Sequence, residues 1–113
     1  MSNAANIALT ALRAFDRKGE VIANNIANVN TDRFKKSRAD MEEASPAGVK
    51  ATVERVNTPD DMVTIGEGER EPSNVNMEEE LIALIVNRNN YTANIKTIAA
   101  ADEIQGTLFD ILG

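Results

Sequence analysis

The sequence of 113 residues contains no cysteine and no histidine, and each absence excludes a class of chemistry. Without cysteine there is no disulfide and no thiol nucleophile. Without histidine the chain lacks the commonest general acid or base and the commonest transition-metal ligand. Neighbouring acids at residues 42–43, 60–61 and 78–80 fall at turns or helix ends, as is typical of solvated surface. We therefore predict no enzyme, no catalytic residue, no cofactor, no metal and no small-molecule substrate.

Basic side chains are outnumbered, with 12 Lys and Arg against 18 Asp and Glu, which gives a net charge of −6. A nucleic-acid binder needs a basic surface that neutralises phosphates, so nucleic acid is not an expected partner. No apolar run approaches the roughly 20 residues that span a bilayer. The N-terminus also lacks the basic and then apolar blocks of a secretory signal, so no cleaved signal peptide is expected.

Large side chains are scarce: there are three Phe, one Tyr and no Trp. Such a chain must pack aliphatic helices against each other or associate with copies of itself. Residues 3–30 predict the first helix, with apolar and small residues alternating at intervals of four and three, the 3.5-residue period of a coiled coil. The positions of this stripe are Ala8, Leu12, Phe15, Gly19, Ile22, Ile26 and Val29.

A second helix is predicted over residues 74–112. Ser73 or Asn74 can cap it, and the acids that follow complement the positive end of the helix dipole. Its stripe begins with Met77, Leu81, Leu84, Arg88, Tyr91, Ile95 and Ile98. The fold class is therefore mainly α, a single domain over residues 1–113 in which two long terminal helices form a helical hairpin or coiled coil.

Residues 31–73 predict a loop and a small β-like insert between the helices. All three prolines lie there, and residues 49–56 alternate as a strand does. Residues 57–60 read as a turn and 62–65 as a second short strand, which together predict a hairpin. Because an isolated two-stranded hairpin is marginal in water, it needs a helix or a neighbour to lie on. The basic cluster Arg33, Lys35, Lys36 and Arg38 is either a solvated loop or a contact for an acidic partner.

Asparagine is abundant and sits within both helices, where it is a poor helix former. Asn87, Asn90 and Asn94 each precede a position of the second stripe by one residue. Two interpretations stay open. The amides either fix the register between packed helices, as a polar residue does in a coiled-coil core, or they are the polar flank of an amphipathic helix.

The run Ala-Asn-Asn-Ile-Ala-Asn-Val-Asn-Thr-Asp-Arg-Phe-Lys over residues 23–35 resembles the N-terminal signature of bacterial flagellar rod and hook proteins. Upstream, Ala8, Leu12 and Phe15 resemble the leading heptads of that family. Residues 73–76, 79–81 and 91–94, with Ile98, are similar to its C-terminal helix. The nearest resemblance is to the short proximal-rod branch.

The resemblance implies a structural subunit of the flagellar basal-body rod, whose terminal helices pack in the core of a hollow axial tube. It implies export through the flagellar type III apparatus without a cleaved signal, and as partners copies of itself and other rod- and hook-type axial proteins. The family signatures imply assembly contacts at Asn24, Asn25, Asn28, Asn30, Thr31, Phe34, Asn74, Glu80, Tyr91 and Asn94. The two stripes add Leu12, Phe15, Ile22, Ile26, Val29, Leu81, Leu84, Ile95 and Ile98 as interface positions.

Two features depart from the family pattern. Arg33 stands before Phe34 where the family commonly has glycine, which adopts a left-handed backbone easily. The middle of the chain is also short, so any outer domain is reduced to the hairpin. The competing hypothesis is a cytoplasmic coiled-coil adaptor or export chaperone for axial proteins, which would fold alone and bind a rod or hook partner.

Overall fold

Two long helices frame the molecule, which confirms the predicted fold class. The computed structural model describes residues 3–58, 63–65 and 68–112. The elements are α1 (Asn3–Ala27), β1 (Ser37–Glu43), β2 (Val49–Arg55), β3 (Val63–Ile65), β4 (Gly68–Arg70) and α2 (Met77–Leu112). In the part of the chain that is described, no helix is both long and apolar enough to cross a membrane.

The molecule is strongly elongated, with principal extents of 78 × 25 × 13 Å. Its radius of gyration is 19.9 Å, against about 13 Å for a compact domain of this length. The shape follows from α2, whose 36 residues rise about 54 Å in one uninterrupted helix. A long, thin subunit has little interior and much lateral surface.

Helix α1 is the element on which the rest of the chain packs, since it contacts α2 and both strands of the β1–β2 hairpin. Its buried face is rich in alanine, whose short side chain lets neighbouring backbones approach closely. The residues buried on α1 are Ala5, Ala8, Ala11, Ala14, Val21, Ile22 and Asn25. This face overlaps the predicted stripe only at Ala8 and Ile22.

Strand β2 was expected to pair with residues 62–65, and that prediction is wrong. Its antiparallel partner is β1, in a register that places Ser37 opposite Arg55 and Glu43 opposite Val49. Strand β3 pairs instead with β4. The predicted turn at residues 57–60 and the start of the predicted second strand lie partly outside the described residues. The expectation that the hairpin lies on a helix agrees with its contacts to α1.

The hairpin is attached to α1 at its turn through one hydroxyl. Thr10 Oγ donates to the carbonyl of Ile7 at 2.6 Å and accepts from the N–H of Val49 at 3.0 Å. Gly48 adopts a φ of 96°, and a Cβ there would lie 2.7 Å from Thr10 Oγ. Only glycine therefore fits both the backbone conformation and the close approach.

Helix α1 ends at Ala27, three residues before the predicted end. The side-chain amide of Asn28 donates to the Asn24 carbonyl at 2.9 Å. The backbone N–H of Val29 donates to the Ile26 carbonyl, three residues earlier, at 3.2 Å, which tightens the last turn. The chain then turns at Arg33, which has a φ of 62°. Thus the left-handed conformation that suits glycine persists here with an arginine.

We expect Arg33→Gly to raise the free energy of unfolding by about 0.5–1 kcal/mol. Relief of the left-handed strain exceeds the cost of a more flexible unfolded chain. The Arg33 N–H bond to the Glu71 carbonyl, 2.8 Å long, is retained because it is a backbone bond. Urea denaturation followed by far-UV circular dichroism measures the change. Arg33→Ala is the matched control, since it removes the same side chain and keeps the strain; an equal gain in that variant would refute the backbone explanation.

Helix α2 begins at Met77 and its cap is Asn76, so the predicted caps Ser73 and Asn74 are wrong. The Asn76 side-chain oxygen accepts from the Glu79 N–H at 3.1 Å, and its carbonyl accepts from Glu80 N–H at 3.0 Å. The Ser73 hydroxyl instead donates to the carbonyl of Val29. The segment before α2 therefore ties back to the end of α1, and the cap falls three residues later.

Candidate functional site

The two terminal helices run antiparallel, and buried amides lie where they meet. Asn25 is the most buried of them, with 1% of its surface exposed. Its side-chain N–H donates to the Ser37 carbonyl at 2.8 Å, and its oxygen accepts from the Ser37 N–H at 3.0 Å. The same amide donates to a Glu80 carboxylate oxygen at 3.3 Å. One side chain on α1 thus holds the first residue of β1 and the first turn of α2.

Asn74 plays a similar role on the other side of the insert. Its side-chain oxygen accepts from the Lys36 N–H at 2.7 Å. Its amide donates to the carbonyls of Val56 and Thr58, each at 2.8 Å. Asn74 therefore joins the chain entering β1 to the chain leaving β2, just ahead of α2.

Asn87 joins α2 directly to the backbone of α1. Its amide donates to the Phe15 carbonyl at 2.9 Å. A Cβ placed on Gly19 would lie 3.3 Å from that nitrogen, so glycine gives the amide room. The Asn87 side-chain oxygen is buried and has no hydrogen-bond partner among the described residues. Asn87 thus faces the partner helix, which favours register-fixing over a polar flank for this one asparagine.

The remaining polar positions of the signature lie at the surface. Asn24, Asn30 and Thr31 are exposed and Asn28 is half-buried. The side-chain amide of Asn28 donates to the carbonyl and the side-chain oxygen of Asn24, one turn earlier, and the Thr31 hydroxyl donates to the side-chain oxygen of Asn28 at 3.1 Å. These side chains leave a polar surface at the end of α1 free to meet another molecule.

Asn94, Phe34 and Tyr91 also stay off the core. Asn94 is half-buried and bonds the Asn90 carbonyl at 3.0 Å. Phe34 and Tyr91 are half-buried. Of the signature residues, Asn25, Asn74 and Glu80 make hydrogen bonds that join α1, the insert and α2. The side chains of the other signature residues make no such contact in the described part of the chain. An assembly role for all of them stays a prediction.

The stripe predicted on α2 coincides only in part with the face that meets α1, since Leu84, Arg88 and Tyr91 line the groove between the two helices. Leu81, Leu84 and Ile95 are exposed, whereas Glu80 and Asn87 are buried. Ile98 is half-buried. On α1, Leu12, Phe15, Ile26 and Val29 are half-buried beside the buried Ile22. Sequence reasoning missed Ala5, Ala11 and Ala14, whose spacing of three was the available signal.

The basic cluster after α1 is largely paired within the chain. Lys35 forms an ion pair with Glu71, and Lys36 lies 3.9 Å from a carboxylate oxygen of Glu79. Arg38 pairs with Asp40 at 3.4 Å and also with Glu54. Exposed pairs of this kind contribute about 0–1 kcal/mol each. The cluster is mostly neutralised, which weakens the idea that it binds an acidic partner.

Apolar side chains are exposed along α2 and at its C-terminal end. Ile82 and Ile85 are about 60% exposed, and Phe109 is 72% exposed. A subunit that worked alone would gain by burying such residues, and contiguous exposed apolar surface marks interaction sites. No group of three or more acids that could hold a metal ion occurs among the described residues. The arrangement suits contact with other proteins better than chemistry.

Comparison with known protein families gives two matches. Residues 4–35 match the family described as flagella basal body rod protein. Residues 68–111 match the family described as flagellar basal body rod FlgEFG protein C-terminal. The first match covers most of α1 and the turn after it, and the second covers β4 and nearly all of α2. No match was found among curated proteins. The two matches occupy both ends of the molecule and leave the β1–β2 hairpin between them.

Proposed function

The chain belongs to the flagellar basal body rod protein family, and from this membership we propose that it assembles through its terminal helices into the axial rod. The role of the family in the basal body is structural. Self-assembly and export through the type III apparatus without a cleaved signal are the finer parts of the proposal. The partners would be copies of this chain and other rod- or hook-type axial proteins.

One observation carries the proposal: the two family-matched ends pair with each other and still leave apolar surface uncovered. The pairing is set by Asn25 against Glu80 and by Phe15 against Asn87. Leu81, Ile82 and Ile85 remain exposed on the same helix. A narrow subunit with an apolar lateral surface is what packing into a tube requires, because each neighbour buries what the monomer cannot.

The geometry also divides the signature residues into two proposed roles. Asn25 and Asn74 are committed to contacts within the chain, so they would shape the subunit. Asn24, Asn30 and Thr31 are exposed at the end of α1, so they would be available to a neighbour. The buried amides would then fix the position of the exposed residues, and a neighbouring subunit would contact those exposed residues.

Peptide mass spectrometry on purified hook–basal bodies tests the function. We expect the chain in the particles at stoichiometric level after washes that strip loosely bound protein. We also expect its intact mass there to equal that of the translated chain, since no signal is removed on export. A chain confined to the cytosol and absent from basal bodies would refute the rod proposal and favour the adaptor or chaperone.

A further inference from the structure

The end of α2, residues 103–112, is called the α2 tail here. Counting back along α1 from Phe15, which contacts Asn87, the start of α1 lies level with about residue 99 of α2. The tail therefore ends about 20 Å past the described part of α1. Its apolar residues are 52–82% exposed, namely Ile104, Leu108, Phe109, Ile111 and Leu112.

The α2 tail combines an apolar stripe with an acidic one. Glu103 and Asp110 are seven residues apart and lie on the same face of the helix, about 10 Å from each other. Ile104, Leu108 and Ile111 follow one residue after the line of that face, so the two stripes are adjacent. A surface that receives the tail should accordingly offer an apolar floor with cations beside it.

A groove of that description lies between α1 and β2, and it is called the basic groove here. It has a volume of about 280 Å³, and Ala14, Val49 and Ala51 contribute small or apolar walls. Its charged walls are Arg13, Arg17 and Lys50, all exposed. This local excess of positive charge occurs in a chain whose net charge is −6.

The cations of the basic groove are poorly neutralised within the chain. Among the described residues neither Arg13 nor Lys50 forms an ion pair. Arg17 pairs with Glu20 at 3.3 Å, in a contact that is exposed on both sides. Glu42 stands opposite Lys50 in the hairpin, but its carboxylate accepts from the Thr52 hydroxyl at 3.2 Å.

We propose that the α2 tail of one copy docks in the basic groove of a second copy. This inference rests on the proposed function, and it names the surfaces that would meet. Glu103 and Asp110 face the cations of the groove, while the adjacent apolar stripe covers Ala14 and Ala51. Charge complementarity favours this partner, since the tail combines acids with strongly exposed apolar side chains and extends past α1, where a second copy can reach it.

The other apolar surfaces of the chain fit the tail less well. The exposed patch at Leu81 and Ile82 follows the acids Glu78 and Glu79 on the same helix. The groove between α1 and α2 is bordered by Asp16 and Glu20, with Arg88 as its one cation. Acids placed against the acids of the tail repel, so neither surface receives it as favourably as the basic groove.

The contact joins two different surfaces, so it is heterologous and its repetition produces an open chain of subunits. Because Phe15 contacts Asn87, its neighbour Ala14 lies level with about residue 88 of α2, and the tail is centred near residue 108. One copy would therefore be displaced from the next by about 30 Å along the long axis. The same distance separates the tail from the groove within one copy, so a single chain cannot make this contact with itself.

Site-specific cross-linking tests the proposal, and the absence of cysteine in the chain makes it clean. The full chain with Ala51→Cys and Leu108→Cys is treated with a short bismaleimide. The matched control carries Ala51→Cys and Ile82→Cys, which places the second thiol at another exposed apolar site on α2. We expect about tenfold more cross-linked product than in the control, as a ladder of dimers, trimers and larger species.

Charge-reversal variants test the proposal in a second way. Adding Arg13→Glu and Lys50→Glu should abolish the ladder, and adding Glu103→Lys and Asp110→Lys to that variant should restore it. Arg88→Glu combined with Lys96→Glu, an equal pair of reversals outside both surfaces, should leave it unchanged. Raising the salt from about 0.1 to about 1 M should weaken the ladder in the chain with native charges, because the screening length falls from about 10 to about 3 Å.

Cross-linking no greater than in the control, or a product that stops at the dimer, overturns the proposal. So does a ladder that ignores both salt and charge reversal. The proposed function is judged separately by the basal-body measurement. A chain present in basal bodies that gives no ladder keeps its function and loses this contact, whereas a ladder with no chain in basal bodies removes the function alone.

Discussion

Asn25→Ala is expected to lower the free energy of unfolding by about 3–5 kcal/mol. The substitution removes three hydrogen bonds and leaves the Ser37 N–H and carbonyl and a Glu80 oxygen without their partner. Each buried polar group left unpaired costs about 1–3 kcal/mol. Small domains have only about 5–15 kcal/mol in total. Urea denaturation followed by far-UV circular dichroism should therefore show a much lower midpoint, with β1 and the first turn of α2 losing protection in hydrogen exchange.

The matched control is Asn24→Ala, one residue earlier on the same helix. Asn24 is exposed, and its side-chain oxygen accepts only a long hydrogen bond, 3.4 Å, from the side-chain amide of Asn28 one turn later. Its substitution should change the free energy of unfolding by no more than about 0.5 kcal/mol. If the two variants were equally destabilised, the loss would come from a property shared by the two positions, and the hydrogen bonds of Asn25 would contribute little to the free energy of unfolding.

The sequence was enough to predict both helices, because each is long and its apolar residues repeat at helical intervals. It was not enough to predict β1, since Ser37–Glu43 is mostly polar and charged and has little strand character of its own. That strand forms because β2 pairs with it and Asn25 bonds its first residue. Both contacts come from residues outside the strand, so the residue pattern of Ser37–Glu43 alone does not record them.

The face of α2 that meets α1 was predicted only in part, for a different reason. Residues 81–86 are apolar in every position, so periodicity does not identify one preferred side. The structure turns Glu80 and Asn87 inward and leaves Leu81 and Ile85 exposed. On α2, polar residues contact α1 and several apolar residues stay exposed; under the proposed function these apolar residues are available to other copies. Stability of the subunit and its assembly should then depend on different residues.

Ile22→Asp tests whether the buried face of α1 determines the stability of the subunit. Ile22 is 4% exposed, in the face of α1 that packs within the chain. Lys18, Lys36 and Arg38 line the same cavity and can offset part of the charge, but the lost apolar burial and the dehydration of the carboxylate still cost about 4 kcal/mol. We expect most of the cooperative unfolding transition to be lost. Ile22→Val, which keeps the site apolar, should cost about 0.5–1.5 kcal/mol and retain the transition.

Phe109→Asp places the same charge on the surface that the monomer leaves open, and it should have the opposite pattern. Phe109 is 72% exposed, so the free energy of unfolding should change by no more than about 0.5 kcal/mol. Rod assembly should fail all the same, because a charge now stands where a neighbour would cover apolar surface. The readout is basal-body yield and motility in cells that express only the variant.

Normal assembly with Phe109→Asp would show that the end of α2 is not an assembly surface. A monomer destabilised as much as by Ile22→Asp would show that the end of α2 is part of the subunit core. A stable monomer that fails to assemble would place the two tasks on separate faces of the same pair of helices.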